Sequence, residues 1–181
     1  MKKILIGGLV GGILLFAWQT VSWTVANLHE KGQQYTPKQD SILNYLNSSG
    51  LAEGSYYLPN SAPGTSMDEM QKQMDASMGK PWAMIRYYKE MNFNMGMNMA
   101  RGALSNIIIV CLLCWIFAKI GSGSFSTYLI SSIAVGIICF TNGAYTGHIW
   151  YPMHDINAHF VDALASWGLV GVWLGWWMPR K

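Results

Sequence analysis

Four long apolar stretches constrain this chain more than any other feature of its sequence. The first runs from Ile4 to Val25, and the others cover residues 97–120, 125–145 and 160–178. Each is about 20 residues long, which is the length that an α-helix needs to cross a hydrocarbon core of about 30 Å. Only 12% of the residues are charged, about half of the fraction usual in soluble domains. The sequence therefore predicts an all-α membrane protein with four transmembrane helices.

Basic residues predict the direction in which these helices cross the membrane. Lys2 and Lys3 precede the first stretch, and Lys119, Arg180 and Lys181 fall on the same side if the chain crosses four times. Lys and Arg are enriched in short cytoplasmic segments. Both ends of the sequence are therefore predicted to lie in the cytoplasm.

A cleaved signal peptide is the alternative interpretation of the first stretch. Thr24-Val25-Ala26 is a passable cleavage site. However, the apolar run is longer than the core of a signal peptide, which has about 7–15 residues, and it carries Trp18, Gln19 and Trp23 late in its length. We therefore expect residues 1–27 to remain as a transmembrane helix.

The segment between the first two stretches, residues 28–96, is polar and carries most of the charges. Thr36-Pro37 and Ser66 mark the starts of two helices, because a capping residue followed by Pro, or by Glu three positions later, is typical of a helix start. Tyr56–Leu58 and Trp82–Lys89 have the composition of strands. We predict a small α+β insert with two antiparallel strands, placed by the topology on the periplasmic side.

Two overlapping GxxxG patterns lie in the first stretch, formed by Gly7 with Gly11 and by Gly8 with Gly12. Where side chains are absent, two helices can approach closely and gain dispersion contacts. The alternative is a span that merely tolerates glycine. We predict a helix-packing face, within the chain or between chains.

A polar stretch over residues 148–162 interrupts the apolar second half of the chain. If a helix starts near Asp155, then Asp155, His159 and Asp162 share one stripe of it. Imidazole and carboxylate groups on one stripe can bind a metal ion or pass protons, and His29 is predicted on the same side of the membrane. The alternative is that Asp155 caps the helix while the other two bond to helices or headgroups. The candidate metal ligands are His154, Asp155, His159 and Asp162.

Closely spaced methionines form a second candidate site. Met95, Met97 and Met99 lie at the entrance to the second apolar stretch, and Met67, Met70, Met74 and Met78 recur at helical spacing. Thioether sulfur is a soft ligand that selects Cu(I). The alternative is a flexible apolar face that docks the short helix. The sequence therefore predicts no cofactor, with copper or zinc left open as an alternative.

Several short motifs resemble those of a family of small bacterial multi-span inner-membrane proteins without an assigned activity. The motifs are SWTVANLHE, YTPKQ, YYLP, GKPWA, NMGMNMARG and SWGLVGVWLGWW. They touch both ends of the sequence and the insert. The resemblance implies a bacterial cytoplasmic-membrane protein with a periplasmic insert, and it implies no catalytic or binding residue.

An enzyme is not expected, because the sequence has no nucleotide-binding loop, nucleophile elbow or metalloprotease motif. The net charge of +3 is small and scattered, which does not favour nucleic acid. We predict a non-enzymatic interaction or assembly component, with the bilayer, other membrane or periplasmic proteins, or itself as partners. One alternative is a metal-handling protein that faces the periplasm. A weaker alternative is a small transporter lined by Asn106, Asn142 and Asp162.

Overall fold

The computed structural model describes residues 1–180, which fold into two compact units. Residues 1–34 and 94–180 form a helical unit, and residues 35–93 form a polar unit. Lys181, predicted to be cytoplasmic, lies outside the described residues.

Four segments of the helical unit are long and apolar enough to cross a membrane, as the sequence predicts. Two of them contain a π-helical turn near their C-terminal end, where one extra residue per turn widens the helix. The four segments comprise α1 (Lys2–Thr20) with its π turn Val21–Val25, α4 (Met95–Ile120), α5 (Phe125–Phe140) with its π turn Thr141–Tyr145 and the short α6 (Thr146–Trp150), and α7 (Ile156–Trp177).

The third segment is longer than the sequence predicts. It was expected to end at Tyr145, yet it continues to Trp150. The π turn accommodates the polar and glycine residues within Thr141–Tyr145, and the first residue that cannot continue a helix is Pro152. The connection to α7 is therefore short, and His148 lies in a helix rather than in a loop.

The glycines of α1 lie in tight contact with neighbouring helices of the same chain. A Cβ atom added at Gly12 would lie 2.5 Å from the Cα of Ile107 in α4, and one added at Gly8 would lie 2.9 Å from the Cα of Cys111. Gly7 and Gly11 are buried in the same way. Close approach of α1 and α4 therefore depends on the absence of side chains at these positions.

Helix α7 contacts both α1 and α5, so that neighbouring segments run antiparallel in the order α4, α1, α7, α5. Two indole nitrogens of α7 donate hydrogen bonds to backbone oxygens of α1: Trp173 to Gly7 at 3.0 Å and Trp177 to Lys3 at 2.9 Å. The buried core of this unit draws on all four segments and comprises Leu15, Val110, Leu113, Cys114, Phe117, Tyr128, Trp167, Val170, Leu174 and Met178.

The polar unit contains the two helices and two strands that the sequence predicts, but its first helix begins at Gln39, so that neither Thr36 nor Pro37 has the predicted role at the helix start. Its strands pair antiparallel, with Gly54 opposite Tyr87 and Leu58 opposite Ala83. The predicted capping box is formed, because Ser66 and Glu69 each bond the other's backbone N–H. The elements are, in chain order, α2 (Gln39–Ser48), β1 (Gly54–Leu58), α3 (Met67–Ser77) and β2 (Ala83–Tyr87).

A candidate metal centre between α1 and α7

His29 lies in the connection that follows α1, and only 2% of its surface is exposed. The chain reverses after the π turn through Asn27, whose φ of 48° is a left-handed conformation that Asn tolerates better than most residues. This reversal brings the imidazole ring of His29 flat against the indole of Trp23, with ring centroids 3.9 Å apart. A buried imidazole with one face covered in this way needs polar partners for both ring nitrogens.

Two carboxylates supply these partners: Asp155 at the N-terminus of α7 and Asp162 within the helix. Nδ1 of His29 lies 2.8 Å from Oδ2 of Asp155, and Nε2 lies 2.9 Å from Oδ2 of Asp162. The second oxygen of Asp162 accepts a hydrogen bond of 2.9 Å from the indole nitrogen of Trp18 in α1. An unbroken polar chain from Asp155 to Trp18 therefore joins the C-terminal part of α1 to the start of α7.

Asp155 does not cap α7 with its side chain, contrary to the alternative that the sequence left open. Its carboxylate is directed to His29 instead, and it occupies space beside Gly32. A Cβ atom added at Gly32 would lie 2.6 Å from Oδ2 of Asp155. The short turn after His29 thus leaves room for this carboxylate only because it ends in glycine.

His159 completes the cluster from the first turn of α7. Its ring meets that of His29 edge-on, with centroids 4.7 Å apart, and its Nε2 lies 3.6 Å from Oδ2 of Asp155. Within residues 1–180, His29, Asp155 and His159 are the group whose potential ligand atoms all lie within 4.8 Å of one another. These three side chains can therefore converge on one metal ion.

The charges of the cluster shift the pKa values of His29 and Asp155 in opposite directions. Burial alone lowers the pKa of His29, but hydrogen bonds and negative charges from Asp155 and Asp162 outweigh it, so the pKa is raised. Burial alone raises the pKa of Asp155, but the hydrogen bond from His29, its own backbone N–H and the nearby imidazoles lower it overall. Both shifts favour the charged form of each group relative to the same group in water.

Of the four ligands predicted from the sequence, Asp155, His159 and Asp162 come together at this site. His154 is exposed and is not part of the group of three described above. His148 lies in α6, where its Nδ1 accepts a hydrogen bond of 2.9 Å from the backbone N–H of Met153. Metal binding by any of them stays a prediction.

The predicted methionine site is divided by the structure. All three methionines are exposed, but only Met95 and Met99 line a cavity that His159 and Asp162 also border. One turn of helix separates Met95 from Met99, which explains why these two share a face and Met97 does not.

Sequence reasoning missed the two tryptophans of the site. Trp18 and Trp23 were assigned only as aromatic residues late in a span, where tryptophan is common near membrane interfaces. Trp23 lies in the π turn Val21–Val25, and nothing in the sequence marks that turn. No protein-family model, curated protein or solved structure matches the chain.

Proposed function

We propose that this protein is a membrane protein that binds a divalent transition-metal ion of the Zn²⁺ class through His29, Asp155 and His159. The proposal rests on the convergence of their ligand atoms to within 4.8 Å. Two imidazole nitrogens and one carboxylate oxygen are a familiar ligand set for zinc sites that keep an open position. Ligand atoms around one tetrahedral zinc ion lie about 3.4 Å apart, given bonds of about 2.1 Å. Asp155 Oδ2 lies 2.8 Å from Nδ1 of His29, a hydrogen-bond distance, and 3.6 Å from Nε2 of His159, and all three ligand atoms lie within 4.8 Å of one another. Small shifts of these side chains would bring their separations to the tetrahedral value.

Asp162 also supports this assignment, because it contacts the ring nitrogen of His29 that would not bind the metal. Histidines that bind metal usually donate their other ring N–H to a carboxylate, which fixes the ring and makes it a better ligand. Oδ2 of Asp162 lies 2.9 Å from Nε2 of His29, so Nδ1 is the nitrogen that faces the ion. Trp18 in turn holds the other oxygen of Asp162.

Charge balance also favours a divalent ion. When neutral His29 and His159 bind the metal, the two positive charges of the ion are matched by the carboxylates of Asp155 and Asp162. A buried site in which charges cancel avoids most of the desolvation cost of an unpaired charge.

Zinc binding by the full chain in detergent tests the proposal. After chelator treatment and reloading with Zn²⁺, elemental analysis should find one ion per chain, and His159→Ala should remove it. His154→Ala is the matched control, because His154 is exposed and outside the group of three ligands; it should retain the ion. Absence of stoichiometric zinc, or its retention by His159→Ala, would overturn the proposal. Copper bound through Met95 and Met99 instead of zinc would also contradict it.

We further propose that the protein resides in a bacterial cytoplasmic membrane with the metal centre on the periplasmic side. Lys2, Lys3, Lys119 and Arg180 lie at the helix ends opposite to His29, and Lys and Arg favour the cytoplasm. Zinc stripping from intact spheroplasts by a membrane-impermeant chelator should succeed. If it succeeds only after the membrane is broken, the orientation is wrong.

A second role, in assembly with another protein, is supported by an apolar groove of the polar unit. The groove has a volume of about 520 Å³ and is lined mainly by apolar side chains, among them Ile42, Tyr45, Leu46, Leu51, Leu58 and Ile85. Exposed apolar surfaces of this kind commonly mark protein–protein interaction sites. A photocrosslinker at Tyr45 should give a discrete adduct in native membranes, and uncrosslinked monomer alone would argue against this role.

A further inference from the structure

A cleft of about 810 Å³ lies between α4 and α5, with α1 and α7 at its base. Each of the four helices contributes side chains to it, and most of the lining is apolar. Representative residues are Phe16, Met95, Met99, Cys139, Phe140 and Trp167. The volume falls within the range of about 300–1,000 Å³ that is usual for ligand sites.

The cleft exists because α4 and α5 pack against each other over only a small part of their length. Within residues 1–180, the extensively packed pairs of long helices are α1 with α4, α5 with α7, and α1 with α7. Helices α4 and α5 meet beside the turn that connects them, where the rings of Phe117 and Tyr128 lie 4.9 Å apart. The two helices therefore enclose an opening that lies away from this turn, towards His159.

The lining changes character along the length of the cleft. Near His159 it includes the carboxylate of Asp162, whose side chain is 16% exposed, and the amide of Gln19. Oδ1 of Asp162 accepts a hydrogen bond from Trp18, and its Oδ2 lies 2.9 Å from Nε2 of His29. The cleft thus has apolar walls and a carboxyl group at one end.

We propose that this cleft binds a phospholipid with a primary-ammonium headgroup, its acyl chain between α4 and α5 and its ammonium at Asp162. The walls belong to segments with the length and composition of membrane spans. An opening between such segments would face the bilayer, so that a lipid molecule can enter it. An ammonium group has three N–H donors for a carboxylate, and charge-assisted hydrogen bonds are strong where water is scarce. A choline headgroup has no N–H donor and an anionic headgroup is repelled by a carboxylate, so both should bind more weakly. This lipid site is a separate proposal from the metal centre, and lipid binding does not require a metal ion.

Native mass spectrometry of the full chain tests this proposal with three lipids of identical acyl chains. Phosphatidylethanolamine should be retained at least about ten-fold more than phosphatidylcholine or phosphatidylglycerol, the ratio expected for one charge-assisted hydrogen bond. Asp162→Asn should reduce this preference towards unity. Chelator-treated protein should keep the preference, which separates this proposal from metal binding.

A second pair of variants keeps the proposal testable if Asp162→Asn fails to fold. Cys139→Trp fills the cleft and should abolish lipid retention, whereas Ile138→Trp should not, because Ile138 is exposed on the same helix and outside the cleft. In the unchanged protein, phosphatidylethanolamine should also slow maleimide labelling of Cys139. Equal retention of the three lipids, or unchanged retention by Cys139→Trp, would overturn the proposal.

Discussion

The indole ring of Trp23 lies parallel to the imidazole ring of His29, with an interplanar angle of 5° and ring centroids 3.9 Å apart. The stack covers one face of His29, while its two nitrogens lie 2.8 Å and 2.9 Å from carboxylate oxygens of Asp155 and Asp162. An aromatic face also stabilises a cationic ring stacked on it. Trp23 therefore holds His29 in position for the carboxylates, although it has no polar contact with them.

Replacing Trp23 with Leu should lower the free energy of unfolding by about 1–3 kcal/mol, through loss of apolar contact and of ring stacking. Trp23→Phe should recover part of that loss. Reversible unfolding in mixed detergent micelles, followed by circular dichroism, measures both. Trp150→Leu is the control, because Trp150 is 74% exposed. Equal stability of the Trp23→Leu and Trp150→Leu variants would show that the stack does not stabilise the fold.

Asp162→Asn should weaken zinc binding without abolishing it. The amide still offers one acceptor oxygen but no charge, and loss of such a supporting carboxylate typically costs about 10–100-fold in metal affinity. Asp155→Ala removes a ligand and should cost far more. Competition with a coloured chelator gives both affinities. Unchanged affinity in Asp162→Asn would place the ion elsewhere.

Gly12→Ala should separate α1 from α4, because the new methyl group would lie 2.5 Å from the Cα of Ile107, a backbone atom that cannot move aside cheaply. Overpacking of this kind costs about 1–3 kcal/mol. Gly168→Ala is the matched control, since nothing lies within 4 Å of its added Cβ. Chemical unfolding of the two variants should show destabilisation only for Gly12→Ala. A stable Gly12→Ala protein would mean that the glycines do not govern this contact.

Acidification should loosen the first turn of α3. Hydrogen bonds from the Ser66 hydroxyl and backbone N–H hold the pKa of Glu69 below its usual value. A carboxyl group with a lowered folded-state pKa stabilises the fold above its unfolded-state pKa, and this stabilisation is lost as the pH falls through the folded-state value. Hydrogen-exchange protection of α3 should therefore decrease below about pH 4.5. Glu69→Gln should flatten this pH dependence, and identical profiles for the two proteins would contradict the explanation.

Local patterns were sufficient to predict most of the secondary structure. The capping box at Ser66 and the four apolar runs depend on neighbouring residues only, and both are found in the structure. The end of the third segment was wrong, because the π turn over Thr141–Tyr145 carries the helix past residues that usually stop one. Which side of the membrane each end occupies stays a prediction.

The site could be predicted only in part for a different reason. Asp155, His159 and Asp162 share one helix, so their proximity follows from helical spacing. The position of His29 between two of them depends on a contact that spans most of the chain, and on a chain reversal at Asn27. Neither sequence periodicity nor composition encodes such a contact. The predicted topology puts His29 at the same end of the helices as the other three residues, but it does not identify His29 as a ligand.

The indole hydrogen bonds from Trp173 and Trp177 to the backbone of α1 have a consequence for biosynthesis. Helix α1 leaves the ribosome before the other spans, whereas α7 is the last of the four to be made. Membrane helices can insert singly and associate afterwards. The surface of α1 that binds α7 is therefore uncovered in the bilayer until α7 has been synthesised. In a nascent chain stalled before α7, this surface would stay accessible to membrane proteases.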